Sequence, residues 1–185
     1  TGRIIWSFET GGRVKGAVAG LGNRVFVGSY DGRLYALDSR TGALQWRSSS
    51  QGRLGGLGRF YSTPAVAYGR VFIGSTDGKV YAFGATTGDL LWSRSTGGYV
   101  YSGTAVADTK HSGPTVYFGS YDGNAYALNA KTGEVRWTQD MGGRVIGSVV
   151  VIGETVYVAE FDDTNIYGFR LRDGKKKFGY HTGAY

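Results

Sequence analysis

Cysteine is absent from the chain, which excludes a disulfide scaffold, a thiol nucleophile and a Cys-ligated zinc site while leaving the redox compartment open. Proline is scarce, at 2 residues, and so is histidine, at 2. Neither His111 nor His181 has a second metal ligand close by, and no serine stands apart from the repeated pattern described below, so hydrolytic chemistry has no carrier. Long apolar runs are missing too: the longest, Val149 to Ile152, is strand-sized and far short of the roughly 18 residues of a membrane span. The chain begins at Thr1 with no methionine and no signal sequence, so it reads as a processed or excised segment, and any export signal would have lain upstream.

What the chain does have is glycine, 33 residues of it, together with 41% hydrophobic and 15% aromatic residues. Composition of that kind buries a core and describes a turn-rich globule rather than a disordered chain. The net charge is +7, but the cations are scattered singly and Lys175-Lys176-Lys177 is the one basic run. With no basic helix or binding module beside the charge, nucleic acid is not an expected partner.

The stretch VFVGSYDGRLYALDSRTGALQW at 25–46 returns as VFIGSTDGKVYAFGATTGDLLW at 71–92 and as VYFGSYDGNAYALNAKTGEVRW at 116–137. A degenerate fourth copy, VYVAEFDDTNIYGFRLRDGKKKF, runs from 156 to 178, and TGRIIW at 1–6 matches the tail of the repeat. Each copy parses into four short strands. The first is small (Ala17 to Ala19, Ala65 to Ala67, Ala105 to Ala107, with Val149 to Val151 bulkier), as suits a crowded inner position. The second and third are apolar on both faces, and the fourth alternates with a wet face. Asp31-Gly32, Asp77-Gly78 and Asp122-Gly123 mark hairpin turns in which both residues accept positive φ. Thr-Gly at 41–42, 87–88 and 132–133 marks the turn before the last strand.

Four-stranded units recurring at intervals of 46, 45 and 40 residues predict an all-β chain, a β-propeller of four-stranded antiparallel blades. The blades fall at about 13–50, 59–96, 99–141 and 144–181, with 1–10 the outer strand of a preceding or closing blade. Each blade buries its faces only against another, which is why the wording repeats.

The composite GS-x-DG-x-x-YA-x-x-x-x-TG-x-x-x-W resembles the PQQ-like, quinoprotein-type propeller repeat; copy four departs from it at Ala159-Glu160, Asp163, Asp173 and Phe178. The resemblance implies that Trp6, Trp46, Trp92 and Trp137, with Phe178 in the fourth copy, pack between blades. It also implies an extracytoplasmic bacterial setting, in the periplasm or at the cell surface. Two kinds of activity accompany such blades. One is a non-catalytic scaffold for protein interaction or ligand sensing, like the outer-membrane assembly lipoprotein and bacterial kinase sensor domains. The other is a PQQ- and calcium-dependent dehydrogenase. The absence of cysteine and the confinement of most aspartates to turns favour the scaffold, with no cofactor; Asp162-Asp163 reads as a degenerate turn rather than a cation site, since a hard cation needs six or more oxygens.

The Asp-Gly turns and the connections between blades emerge on one face. That rim gathers Arg13, Lys15, Arg59, Tyr61, Tyr99, Tyr101 and Arg144, candidates for an anion, a glycan or an acidic peptide. The Gly-rich connector at 48–60 reads as a loop on the same rim. Family members usually have seven or eight blades, so the four copies fit part of a larger propeller, two copies in an eight-bladed ring, or a closed four-blade ring with Arg3 to Thr10 as the last outer strand.

Overall fold

A computed structural model describes residues 2–52, 57–109 and 113–183; Thr1, His111 and residues 53–56 of the long connector lie outside this range. The described residues form sixteen strands and no helix, in four sheets of four. Blade 1 comprises β1 (Ala19–Leu21), β2 (Arg24–Gly28), β3 (Arg33–Asp38) and β4 (Leu44–Ser49). Blade 2 comprises β5 (Ala65–Ala67), β6 (Arg70–Gly74), β7 (Lys79–Gly84) and β8 (Leu90–Ser95). Blade 3 comprises β9 (Ala105–Thr109), β10 (Gly113–Gly119), β11 (Asn124–Asn129) and β12 (Val135–Asp140). Blade 4 comprises β13 (Val150–Ile152), β14 (Thr155–Ala159), β15 (Asn165–Arg170) and β16 (Lys176–His181). Every sheet is an antiparallel meander in chain order.

The middle strands are buried on both faces, as their composition requires, and the core is a series of seams between blades rather than one central mass. Phe26 and Leu34 of blade 1 meet Val71, Ile73 and Phe83 of blade 2. Phe72 and Val80 meet Val116, Phe118 and Leu128 of blade 3, and Tyr117 meets Val156, Val158 and Phe169 of blade 4. A bulge between the third and fourth strands recurs in all four blades and leaves one residue of the outer strand unpaired: Gln45, Leu91, Arg136 and Lys177. Bulges of this kind twist the strand and re-aim a side chain.

Trp46 stacks on Gly88 and donates from Nε1 to the Ala85 carbonyl at 3.3 Å. The same seat recurs for Trp92 on Gly133 with Ala130 at 3.1 Å, and for Trp137 on Gly174 with Leu171 at 2.8 Å. Trp6 occupies the equivalent seat on Gly42, with the Ser39 carbonyl at 3.0 Å. The leading segment thus holds the place of an outer strand, but residues 2–10 are not a strand, and among the described residues no strand pairs with them. Ile4 and Ile5 are accordingly 80% and 86% exposed.

The inner strands pack in order, β1 on β5, β5 on β9 and β9 on β13, and among the described residues no packing of that extent returns β13 to β1. The four blades form an open arc. Two expectations change as a result. The first strands of blades 1 and 4 are Ala19–Leu21 and Val150–Ile152 rather than Ala17 to Ala19 and Val149 to Val151, and the inner strands are less enclosed than a crowded axis implies, with Leu21, Val150 and Ile152 exposed. At the far end, the face of blade 4 that corresponds to the covered face of its predecessors is bare. Phe178 lies there over Gly168 and against Tyr157, centroids 5.7 Å apart, 42% exposed and with no following glycine to sit on.

Candidate functional site

The Asp-Gly loops and the connectors between blades share one rim of the arc. In each loop the Ser29, Ser75 or Ser120 carbonyl accepts from the glycine three residues on, and the same serine's amide bonds to the residue after the glycine. Only the glycine has positive φ (78°, 79° and 86°), so these are three-residue loops with a left-handed glycine, not two-residue turns in which both residues are left-handed. The reason is the aspartate, whose carboxylate accepts the amide two residues on: Arg33 at 3.0 Å, Lys79 at 3.2 Å and Asn124 at 3.0 Å. Its other oxygen accepts the hydroxyl of Tyr35, Tyr81 or Tyr126 from the third strand, at 2.7 Å for the last. In blade 4, Thr164 takes the left-handed position at φ 56°, and Glu160 replaces the aspartate, accepting from Asp163 N at 2.7 Å.

Above these loops lies a row of aromatic rings. The residue before each Asp-Gly, or before Asp162-Asp163, is Tyr30, Thr76, Tyr121 or Phe161, and the Thr76 hydroxyl accepts the Arg59 amide at 2.8 Å. The amide of that residue bonds to the carbonyl of Arg13, Arg59, Tyr99 or Arg144, at 2.8 to 3.0 Å, which ties the connector to the loop in every blade. Tyr61 and Tyr101 have centroids 4.7 Å apart, and Tyr101 also meets Tyr99 at 5.6 Å and Tyr121 at 5.3 Å. Tyr30 adjoins Tyr61 at 5.9 Å. Arg59 of blade 2 lies over Tyr30 of blade 1 at 5.5 Å, and Arg144 of blade 4 over Tyr121 of blade 3 at 5.1 Å and over Phe161 at 5.4 Å. A cation over the face of a ring is attracted by its quadrupole. Burial, and then the neighbouring phenols, push the Tyr101 hydroxyl above its ordinary pKa.

Of the predicted rim residues, the structure brings together Arg59, Tyr61, Tyr99, Tyr101 and Arg144. Arg13 and Lys15 lie on the first connector, exposed and outside the aromatic row. The two central arginines are not equivalent. Arg144 is clamped by Asp162, which accepts from its backbone amide at 2.7 Å, from Nε at 2.9 Å and from Nη2. The hydrogen bond from Arg144 holds the Asp162 carboxyl below its usual range. Arg59 has no carboxylate partner among the described residues, so its charge is available to a ligand.

Sequence reasoning missed Tyr30, Tyr121 and Phe161. Their signal was an aromatic at the same place in three of four repeats, masked by reading the position as part of the turn. Thr76 is the exception. Where the ring is missing, a cleft of about 280 Å³ opens, lined by Tyr30, Leu57, Arg59, Thr76, Tyr99 and Tyr101. It adjoins a second cleft of about 430 Å³ that runs past Asp77 to Thr96 and Gly98. Among the described residues no three of His, Asp and Glu converge to hold a metal ion.

Meander blades, tryptophan-on-glycine seams and Asp-Gly loops define this protein as a β-propeller of PQQ-like repeats. It belongs to the family described as outer membrane protein assembly factor BamB, whose model matches residues 1–109 and 100–184. Among solved structures, BamB from Moraxella catarrhalis is 22% identical with a TM-score of 0.79. All of the present chain is covered in that match but only 57% of the Moraxella chain, so the protein spans a little over half of its relative's length. The computationally designed Ika4 protein is 20% identical with a TM-score of 0.73, the match covering 92% of this chain and 99% of the design. Quinohemoprotein alcohol dehydrogenase from Comamonas testosteroni is 18% identical with a TM-score of 0.74 over 91% of this chain and 35% of the enzyme. No protein of curated function matches the chain.

Proposed function

We propose that this BamB-like propeller is a non-catalytic, extracytoplasmic scaffold whose aromatic rim binds a protein partner through a segment carrying a carboxylate beside an apolar side chain. The observation that carries the reading is the break in the aromatic row at Thr76, which opens a cleft beside the unpaired Arg59. An aromatic or aliphatic side chain fills the gap, and Arg59 receives the carboxylate in a charge-assisted hydrogen bond. Residues on loops held by a rigid scaffold suit such a role. The bare face of blade 4 is the seat of a further blade of the same repeat, supplied by the rest of a longer chain or by a second copy, because the equivalent faces of blades 1–3 are each covered in that way.

A peptide of alternating Glu and Phe, followed by calorimetric titration, tests the reading. Binding is expected to weaken about tenfold on Arg59→Ala, from the loss of one charge-assisted contact. Thr76→Tyr, which restores the missing ring, is expected to abolish it while the circular dichroism spectrum stays unchanged. A Lys-Phe peptide that binds equally well, or a Glu-Phe peptide indifferent to both substitutions, overturns the proposal. Tight stoichiometric quenching of tryptophan fluorescence by PQQ with calcium would instead support a quinoprotein dehydrogenase.

A further inference from the structure

On the face opposite the rim, the repeat breaks its own rule. The bulged residue of the outer strand stands near the residue that precedes the repeat's first valine: Arg24, Arg70, Thr115 or Thr155. In blade 1 these two positions are bonded, Arg24 Nε donating to Gln45 at 2.5 Å. In blade 4 they are bonded again, Lys177 Nζ donating to the Thr155 hydroxyl at 2.7 Å. In blades 2 and 3 the pairing fails. Arg70 has Leu91 as its counterpart, and Arg136 has Thr115, to which no hydrogen bond is made.

The consequence is two guanidinium groups whose Nε atoms are buried and lack any hydrogen-bond partner, those of Arg70 and Arg136. A buried unpaired donor of a charged group is costly and calls for an explanation. Both arginines line one cleft of about 400 Å³ between blades 2 and 3, with Tyr68, Pro114, Asn129 and Lys131. One Nη of each is anchored, Arg70 Nη1 on the Tyr68 carbonyl at 3.0 Å and Arg136 Nη2 on that of Pro114 at 3.4 Å, which holds the groups in place. Among the described residues no carboxylate lines the cleft. The ladder sets Asp108 opposite Pro114, yet among the described residues neither arginine nor Lys131 makes an ion pair.

Tyr68 supplies an independent observation. It sits in the turn from β5 to β6 with φ 51°, a left-handed conformation that a bulky side chain rarely adopts. Blades 1 and 4 place Gly22 and Gly153 there, at φ 60° and 56°. The repeat therefore has an unstrained solution that blade 2 does not use, and the tyrosine so placed is 50% exposed at the mouth of the cationic cleft. Strain held in place beside uncompensated charge is the arrangement of a ligand site.

We propose that this cleft binds a small oxyanion bearing a flat substituent: Arg70 and Arg136 hold the phosphate or carboxylate, Lys131 adds charge at the mouth, and the ring of Tyr68 covers the substituent. The geometry draws on neither the rim nor its partner, and the two proposals fail independently.

The Arg Nε–Hε cross-peaks in nitrogen-15 spectra report on the site directly. Inorganic phosphate, phenyl phosphate and benzoate are titrated at constant ionic strength against a sodium chloride control. Two Nε–Hε signals, lost in Arg70→Gln and Arg136→Gln, are expected to move and saturate with phenyl phosphate or benzoate; whichever binds more tightly identifies the oxyanion as phosphate or carboxylate. Lys131→Gln, an exposed turn substitution that leaves the fold intact, is expected to weaken binding several-fold. Tyr68→Gly, which restores the glycine of blades 1 and 4, is expected to raise the melting temperature and to erase the preference for phenyl phosphate over inorganic phosphate. Nε–Hε signals that stay still or respond equally to chloride, or an aromatic preference that survives in Tyr68→Gly, overturn the assignment.

Discussion

At Asp122 a single carboxylate joins three pieces of chain. It accepts the Asn124 amide within its own loop at 3.0 Å, the Tyr126 hydroxyl of β11 at 2.7 Å, and the Gly97 amide of the incoming connector at 2.7 Å. Replacing it with alanine strands those donors, and Asp122→Ala is expected to cost about 2 kcal/mol, measured as a shift in the urea midpoint at unchanged slope. The turn itself is legible from Asp-Gly alone. The wider role is not, although the sequence carries it: a tyrosine follows four residues after the aspartate in three copies, at 35, 81 and 126. Composition rules that treat Asp as a turn former have no term for what its second oxygen does. The rim shows the same limit. Arg59 and Arg144 look alike in sequence, and only the position of Asp162 separates the clamped guanidinium from the available one.

Among elements, the outer strand decides how blades adhere. Gly133 lies at φ 73°, and a Cβ there would stand 2.8 Å from the Trp92 ring, so Gly133→Ala meets both a left-handed backbone and a closed contact. The expected loss is about 2 kcal/mol of stability, read from thermal or urea unfolding. Trp92→Phe keeps the ring but loses the 3.1 Å bond to the Ala130 carbonyl, and a smaller loss of about 1 kcal/mol is expected from the same measurement. These seams are legible in the sequence, because Thr-Gly and Trp recur there at fixed spacing. The leading segment is only half legible. Its Trp6 takes the kind of seat the repeat implies, but RIIWSFET has the pattern of a strand and does not form one. Strand pairing is a property of two segments, and the pattern of one says nothing about whether its neighbour is present. The bulge at Gln45, Leu91, Arg136 and Lys177 is hidden as well, since no single residue type marks it.

For the whole arc, acid and alkali act through different groups. Asp31, where burial opposes ionisation but hydrogen bonds from Tyr35, the Arg33 amide and Ser29 outweigh it, has a lowered pKa in the fold. Asp173 is lowered as well, chiefly by its hydrogen bond from Arg170. A lowered folded pKa contributes stability above the ordinary value of 3.8 and loses it as pH falls through the folded one. Burial pushes the Tyr117 hydroxyl up to about 12, and raises Tyr81 and Tyr126, which also donate to Asp77 and Asp122. Their contribution is complete below the ordinary value of 10.0 and is lost as pH rises through the folded value of each, about 12 for Tyr117 and higher for Tyr81 and Tyr126. Melting temperature against pH is therefore expected to be flat between about pH 5 and 9 and to fall on both sides, the alkaline fall softened in Tyr81→Phe. At this scale too, the uncovered face of blade 4 predicts self-association. Light scattering across a dilution series is expected to show masses above 19.8 kDa that return to it in a Tyr157→Lys, Phe178→Lys double variant.

The four tryptophan seats carry one further implication. Trp6, Trp46, Trp92 and Trp137 each meet a glycine and a carbonyl that are equivalent from one repeat to the next, so the tryptophan seat itself holds no mark of which two repeats it joins. A gene encoding such a chain can gain or lose a whole repeat by unequal recombination, and every tryptophan in the product still finds a seat of the kind the fold already uses. Copy number is then a heritable variable on which selection acts directly, while any cut that is not a multiple of the repeat leaves an aromatic without its seat.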